Sequence, residues 1–241
     1  MLCYPHLKQA VFFIFMVKIM ELLVVTLAYT HPGRDADVTA RVRQVIDTIR
    51  NAPGLVTSRN YRNRGKETYY FLLTTWEDEE SWHRAQERYN PKNLLLTSVA
   101  EALTAVPEQW LMRYIWGYSR PAATPSIAAA HLTNVLPEQV EFAQRGWIEG
   151  LRRQAAQPML AFAFLARGLT ETTITTSDPA APNAPSTLHT SYHDSPLLLN
   201  LFNWSSEAER THFYADPNYQ AVSKFVESIG AVSILPLEPI S

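Results

Sequence analysis

The sequence predicts an α+β fold built from two tandem βαββαβ units, and three observations carry that prediction. The order of apolar periods runs strand, helix, strand, strand, helix, strand, and then runs again. A Pro/Ala/Ser stretch, Ser119 to Ser126, separates the two runs. Two tryptophan-centred segments, Thr74-Thr75-Trp76-Glu77-Asp78-Glu79 and Phe202-Asn203-Trp204-Ser205-Ser206-Glu207, hold the same place in each run, ending a third strand and opening an acid-bearing helix. The implied organisation is an extension (1–19), a first unit (20–118), a linker (119–126) and a second unit (127–241) with an insertion at 168–195.

In the first unit Glu21 to Tyr29 is β-branched and apolar nearly throughout, as in a strand buried on both faces, and His31-Pro32-Gly33 breaks it. From Asp37 the period changes, with Val38, Val42, Val45, Ile46 and Ile49 on one helical face until Asn51-Ala52-Pro53-Gly54 stops the helix. Leu55 to Arg62 and Glu67 to Trp76 are strand-like around the turn Asn63-Arg64-Gly65-Lys66. Glu77 to Glu80 suit a helix N-terminus, and Trp82, Ala85 and Tyr89 follow at helical spacing. Leu95, Val99, Leu103 and Val106 predict a further short helix up to Pro107, and Trp110 to Tyr118 a closing strand.

The second unit repeats the order. Ile127 to Val135 is a strand, and Pro137 suits the first turn of a helix whose apolar face is Val140, Ala143, Trp147 and Leu151, ending at Pro158. Met159 to Ala166 and Leu197 to Trp204 are the hairpin strands, with the tight turn replaced by Gly168 to Ser195. Three prolines in Asp178 to Pro185 preclude a central strand there, whereas Thr170 to Thr176 and Leu188 to Tyr192 are β-prone. The insertion is expected as an arm or flap over the second unit. Ser205 and Ser206 can cap the next helix, Tyr219, Val222, Phe225, Val226 and Ile229 mark another, and Ala231 to Leu235 closes the sheet.

Composition narrows the function classes. Of 241 residues 46% are apolar and 18% charged, as in ordinary globular domains. A net charge of −2 without a basic stripe gives no reason to expect nucleic acid or an acidic membrane surface. Cys3 is the single cysteine, which excludes intramolecular disulfides and a cysteine-rich zinc site and suits a reducing, cytoplasmic setting. The seven histidines are scattered, so no metal is expected. The apolar run Ala10 to Val17 is far shorter than the ~20 residues that span a bilayer. Lys18 interrupts it and no small-residue cleavage site follows, so residues 1–19 are expected to be an upstream extension, with Met16 or Met20 as the start.

Asn51-Ala52-Pro53-Gly54-Leu55, Trp76 with Glu77, Glu79 and Glu80, and Trp204-Ser205-Ser206-Glu207-Ala208 with His212 resemble the antibiotic biosynthesis monooxygenase family of dimeric α/β-barrels. The resemblance implies a fused pseudo-dimer of ferredoxin-like domains whose sheets bury each other's apolar faces, as two sheets in contact rather than one continuous sheet. It also implies cofactor-independent oxidation of a small aromatic or polyketide-like molecule by dioxygen, with no flavin or metal, and leaves room for pairing of the fused chain into a homodimer. In similar proteins an asparagine and a tryptophan four residues apart on the third strand line the pocket. Asn200 and Trp204 have that spacing, which puts both side chains on one sheet face. They are the catalytic candidates, Asn200 to hydrogen-bond the substrate oxygen or a reduced-oxygen intermediate and Trp204 to shape the cavity. The position four before Trp76 is Leu72, so the second half is the expected active one.

His131, His212, Arg113 and Trp76 are candidates for substrate contact: His131 among small strand neighbours, His212 where similar proteins carry a helical histidine, Arg113 on a strand that could reach a cavity, and Trp76 as the counterpart of Trp204. The haem-degrading branch of the superfamily places asparagine, tryptophan and histidine at positions that here hold Thr26, Trp82 and the Leu94 region, or His131, Phe213 and Ser223. Neither half supplies that set. The alternative function is a non-catalytic protein of the same fold that binds a small ligand or forms an assembly, and the surroundings of Asn200 separate the two readings.

Overall fold

The computed structural model describes residues 21–33, 35–63, 68–120, 123–155, 160–176 and 187–240. The expected extension (1–19), the turn residues 64–67, Pro158 and the proline tip of the insertion lie outside the described residues. The first unit comprises β1 (Leu22–Thr30), α1 (Asp35–Arg50), β2 (Leu55–Asn63), β3 (Thr68–Trp76), α2 (Glu79–Tyr89), α3 (Pro91–Ser98) and β4 (Glu108–Ser119). The second comprises β5 (Ile127–Val135), α4 (Val140–Ala155), β6 (Phe162–Thr176), β7 (Thr187–Trp204), α5 (Glu207–Ala215), α6 (Pro217–Ile229) and β8 (Gly230–Pro239). Both halves are thus ferredoxin-like.

Local chemistry sets the element ends. Gly54 turns the chain after α1 with φ +79°, and a Cβ there would lie 2.6 Å from the Ser81 Cβ, so glycine serves both the left-handed backbone and the close approach of α2. Asp78 caps α2 by accepting from the Ser81 N–H at 2.7 Å, and Ser206 caps α5 by accepting from the Glu209 N–H at 3.2 Å. The helix after Pro91 ends earlier than expected, at Ser98, followed by a single tight turn at Ala100–Ala102. Val106 is exposed, and Leu103 instead sits on the bridge to Thr30 that closes the end of β1.

The strands close a barrel in the order β1-β3-β2-β8-β5-β7-β6-β4. The halves enclose one apolar interior, as expected, with Leu23, Val25, Phe71 and Met112 from the first packed with Ala128, Ala130, Phe164, Leu199 and Leu201 from the second. The expectation of two separate sheets is corrected. β4 pairs with β6 from Leu111–Leu169 to Ser119–Phe162, and β2 pairs with β8 over Tyr61–Asn63, so the edges are hydrogen-bonded into one continuous sheet. The reason is the edge itself: two four-stranded sheets would leave four rows of unpaired peptide groups, and closure satisfies them.

Alternation then assigns faces. Odd-numbered residues of β1 and β3 point into the barrel, while Val24, Ala28, Tyr70, Leu72 and Trp76 point outward under α1, α2 and α3. On β7, Leu199 and Leu201 are inside, and Leu198, Phe202 and Trp204 face outward under α4, α5 and α6. Each half therefore has its own layer between helices and sheet.

Candidate functional site

Asn200 lies in the second of these layers, directly opposite His131 on β5, in register with Trp204 opposite Ile127. Both Asn200 and His131 are 0% exposed. His131 Nε2 is 3.0 Å from the Tyr214 hydroxyl, and the two rings lie nearly parallel with centroids 6.0 Å apart. Phe202 meets the His131 ring edge-on at 4.9 Å, and Trp147 and Tyr219 complete the wall. Trp204 stands against Phe213 and Tyr214. Burial without a counter-charge pushes His131 down to about 3, so the imidazole is neutral at physiological pH. The same cause raises Tyr219 to about 12 and moves Tyr214 upward as well.

What distinguishes this layer is the number of buried polar atoms that find no protein partner: both amide atoms of Asn200, His131 Nδ1, Thr133 Oγ1, Trp147 Nε1 and Trp204 Nε1. An unpartnered buried polar group costs about 1–3 kcal/mol, and native folds keep few of them. Here they cluster on adjacent strands and the helix above. Donors and acceptors are both present, set among closely packed aromatic rings: the group set that would suit a flat molecule bearing oxygen atoms.

Asn200, Trp204 and His131 are brought together; the other candidates are not. His212 is exposed on α5, and its neighbours Phe213 and Tyr214 face the layer. Arg113 pairs with Asp194 at 3.0 Å on the exterior. Trp76 is fully buried in the first half's layer, donating to Thr74 Oγ1 at 3.0 Å and leaning on Trp82. Tyr214 and Thr133 carry no sequence signal of a site, and Tyr219 and Trp147 read there only as parts of apolar helix faces. Registering Ile127 on Trp204 would have placed His131 beside Asn200, but nothing in the linear pattern aims Tyr214 at His131. A surface depression of about 220 Å³, bordered by Arg43, Ile46, Asp47, Arg50 and Ile240, lies on α1 and shares no residue with this layer. Among the described residues no three His, Cys, Asp or Glu side chains gather as a metal site, and no helix is long and apolar enough to cross a membrane.

The sequence pattern of the antibiotic biosynthesis monooxygenase family matches residues 22–89. No curated protein matches the chain in sequence. Among solved structures, a candidate monooxygenase of Fusobacterium nucleatum superposes with TM-score 0.69 at 6% identity, over 93% of this chain and 94% of its own. An anthrone oxidase-like protein superposes at 0.66 with 12% identity, over 93% of each chain. A candidate monooxygenase of Lactobacillus acidophilus superposes at 0.62 with 6% identity, over 91% and 94%. At such identities the likeness concerns the fold, and it spans both halves. Residues 22–89 thus match the antibiotic biosynthesis monooxygenase family, and the same fold is repeated after them.

Proposed function

We propose that the protein is a cofactor-independent monooxygenase that oxidises a small aromatic or polyketide-like molecule with dioxygen, and that its second half is the active one. The carrying observation is the cluster of unpartnered polar atoms around Asn200, His131 and Trp204. In this reading Asn200 holds the substrate oxygen and Trp204 forms the aromatic wall. The electrons come from the substrate itself: an activated CH2 loses two hydrogens and becomes C=O, one oxygen atom of O2 enters that carbonyl, and the other leaves as water. The anthrone oxidase-like neighbour makes an anthrone a reasonable first substrate to try.

The test is oxygen uptake by purified protein with a panel of anthrones and hydroquinones, without added flavin or metal. Turnover that falls at least 100-fold in Asn200→Leu, and persists in a Trp76→Phe control, supports the assignment. The second reading is a binding protein of the same fold. It is favoured by the close ring packing of His131, Phe202, Phe213 and Tyr219, which leaves a ligand to enter by displacing side chains of α5 and α6. Saturable binding of the same panel with no oxygen uptake would select it.

A further inference from the structure

β7 carries a second buried asparagine on its opposite face. Asn203 is an odd number of residues from Asn200, so it points into the barrel, where it lies between Ala128 on β5 and Phe162 on β6. It is 0% exposed; its Oδ1 accepts from the Tyr61 hydroxyl at 3.2 Å, and its Nδ2 has no protein partner. Tyr61 belongs to the first half. Two residues before it, on the same face of β2, the Arg59 guanidinium sits 4.1 Å above the Phe162 ring and beside the Tyr61 oxygen.

The hydrogen-bond logic of this group is directional. A guanidinium only donates, so the Tyr61 oxygen faces a donor and gives its own proton to Asn203 Oδ1. That fixes the amide with its NH2 turned away from Tyr61. Burial pushes the phenol up to about 12 in spite of Arg59, so Tyr61 stays neutral and offers no negative partner. Arg59 forms no ion pair among the described residues. A guanidinium has five N–H donors, so one stacked on an aromatic face and lacking a carboxylate keeps donors with which to receive an anion.

We propose that this end of the barrel is a second ligand site, built jointly by the two halves, which binds a small organic carboxylate. The guanidinium fork of Arg59 takes the two carboxylate oxygens and the Asn203 amide donates to one of them. Phe162, Phe164 and Tyr114 stand ring to ring as an aromatic wall for the body of the molecule. Glu21 lies beside Tyr114 and adds negative charge on that side, which favours a singly charged carboxylate over a phosphate dianion.

The experiment titrates benzoate, with inorganic phosphate in parallel, into the full chain by calorimetry and by amide chemical shifts. Saturable one-to-one benzoate binding is expected, with shifts centred on residues 59–61 and 203. It should weaken at least tenfold in Arg59→Gln and in Asn203→Leu, and stay unchanged in Asn200→Leu, which acts on the other face of β7. The proposal is overturned by benzoate binding that ignores both substitutions, by the lack of saturable binding, or by phosphate binding more tightly than benzoate. If a variant fails to fold, the shift map of the unsubstituted protein decides alone: shifts elsewhere refute the site.

Discussion

The two halves share a fold and differ in what their helix–sheet layers do with polar atoms. In the first, Thr26 and Leu72 face each other across β1 and β3; in the second, His131 and Asn200 occupy the same register across β5 and β7. Thr26 accepts from Gln109 Nε2 at 3.1 Å, and that nitrogen also donates to Asn90 Oδ1 at 2.9 Å. Tyr70 and Thr39 hydroxyls bond at 2.8 Å, and the Trp76 ring nitrogen is satisfied by Thr74. Trp82 Nε1 is the single unpartnered side-chain atom of that layer among the described residues. The same layout is thus finished as a core in one half and left with unpartnered polar atoms in the other. This is the contrast expected if only one half handles a ligand, since functional sites retain the local violations that stability would remove.

The comparison breaks most visibly at the paired tryptophans. Trp76→Ala empties a fully buried site between Val24, Ala52 and Trp82 and should cost about 3–5 kcal/mol. Denaturant midpoints would show the loss, while ligand affinity per folded molecule stays unchanged. If Trp76→Ala instead abolished binding in protein that remains folded, the division of labour between the halves would be wrong.

Next in size is Asn200→Leu, which gives the second half the residue of the first. Replacing an unpartnered amide by a hydrocarbon of similar volume should raise stability by about 1–3 kcal/mol while removing turnover. Thermal unfolding and oxygen uptake on the same sample provide the check. A destabilised variant would mean that Asn200 is a structural residue with partners the geometry does not reveal.

Much of this was legible in the sequence, for identifiable reasons. The tryptophans and the switch from period 2 to period 3.6 located both units, because burial of one face leaves a periodic trace. The even spacing of Asn200 and Trp204 put them on one face, as found. Barrel closure was not legible: which edges pair depends on how the halves meet, and β4 carries no periodic sign that it will bond to Phe162–Leu169. The side that His131 faces is not legible in the sequence, since its small neighbours Ala128 to Ala130 do not distinguish the faces. His212 is a candidate because similar proteins carry a histidine there, but the phase of α5 exposes it and turns Phe213 and Tyr214 to the layer.

A smaller effect concerns pH. The unfolded His131 takes up a proton near 6.5 and the folded one only near 3, so between those values the unfolded state binds more protons. Stability therefore falls as pH drops through that window, by at most about 1.4 kcal/mol per pH unit. His131→Gln should flatten the slope. An unchanged slope in the variant would show that the imidazole is more hydrated than its packing implies. The first half, with Thr26 in this position, contributes nothing of the kind.

The smallest expected effect tests how the halves are joined outside the barrel. The insertion begins as a ribbon, with β6 and β7 paired out to Thr176–Thr187, and it leans on the first half rather than over the second as expected from the sequence. Leu169 packs on the Trp76–Trp82 cluster, and the Tyr192 hydroxyl lies 2.7 Å from His83 Nε2 on α2. At the ribbon's base Asp194 bonds Arg113 and lies 3.6 Å from Arg167, so the arm is tied to both halves by exposed or half-exposed contacts. Contacts of this kind contribute little singly, about 0–1 kcal/mol. Tyr192→Phe should therefore lower the unfolding midpoint by no more than a degree or two, roughly what one exposed hydrogen bond is worth. Replacing residues 170–193 by a short Gly-containing turn, which keeps Leu169 and Asp194, should leave fold and substrate oxidation intact while raising hydrogen exchange along α2, because Tyr192 no longer covers His83. Loss of oxidation in a folded protein of this kind would show instead that the arm communicates with the Asn200 layer, and the picture of a purely inter-half strap would fail.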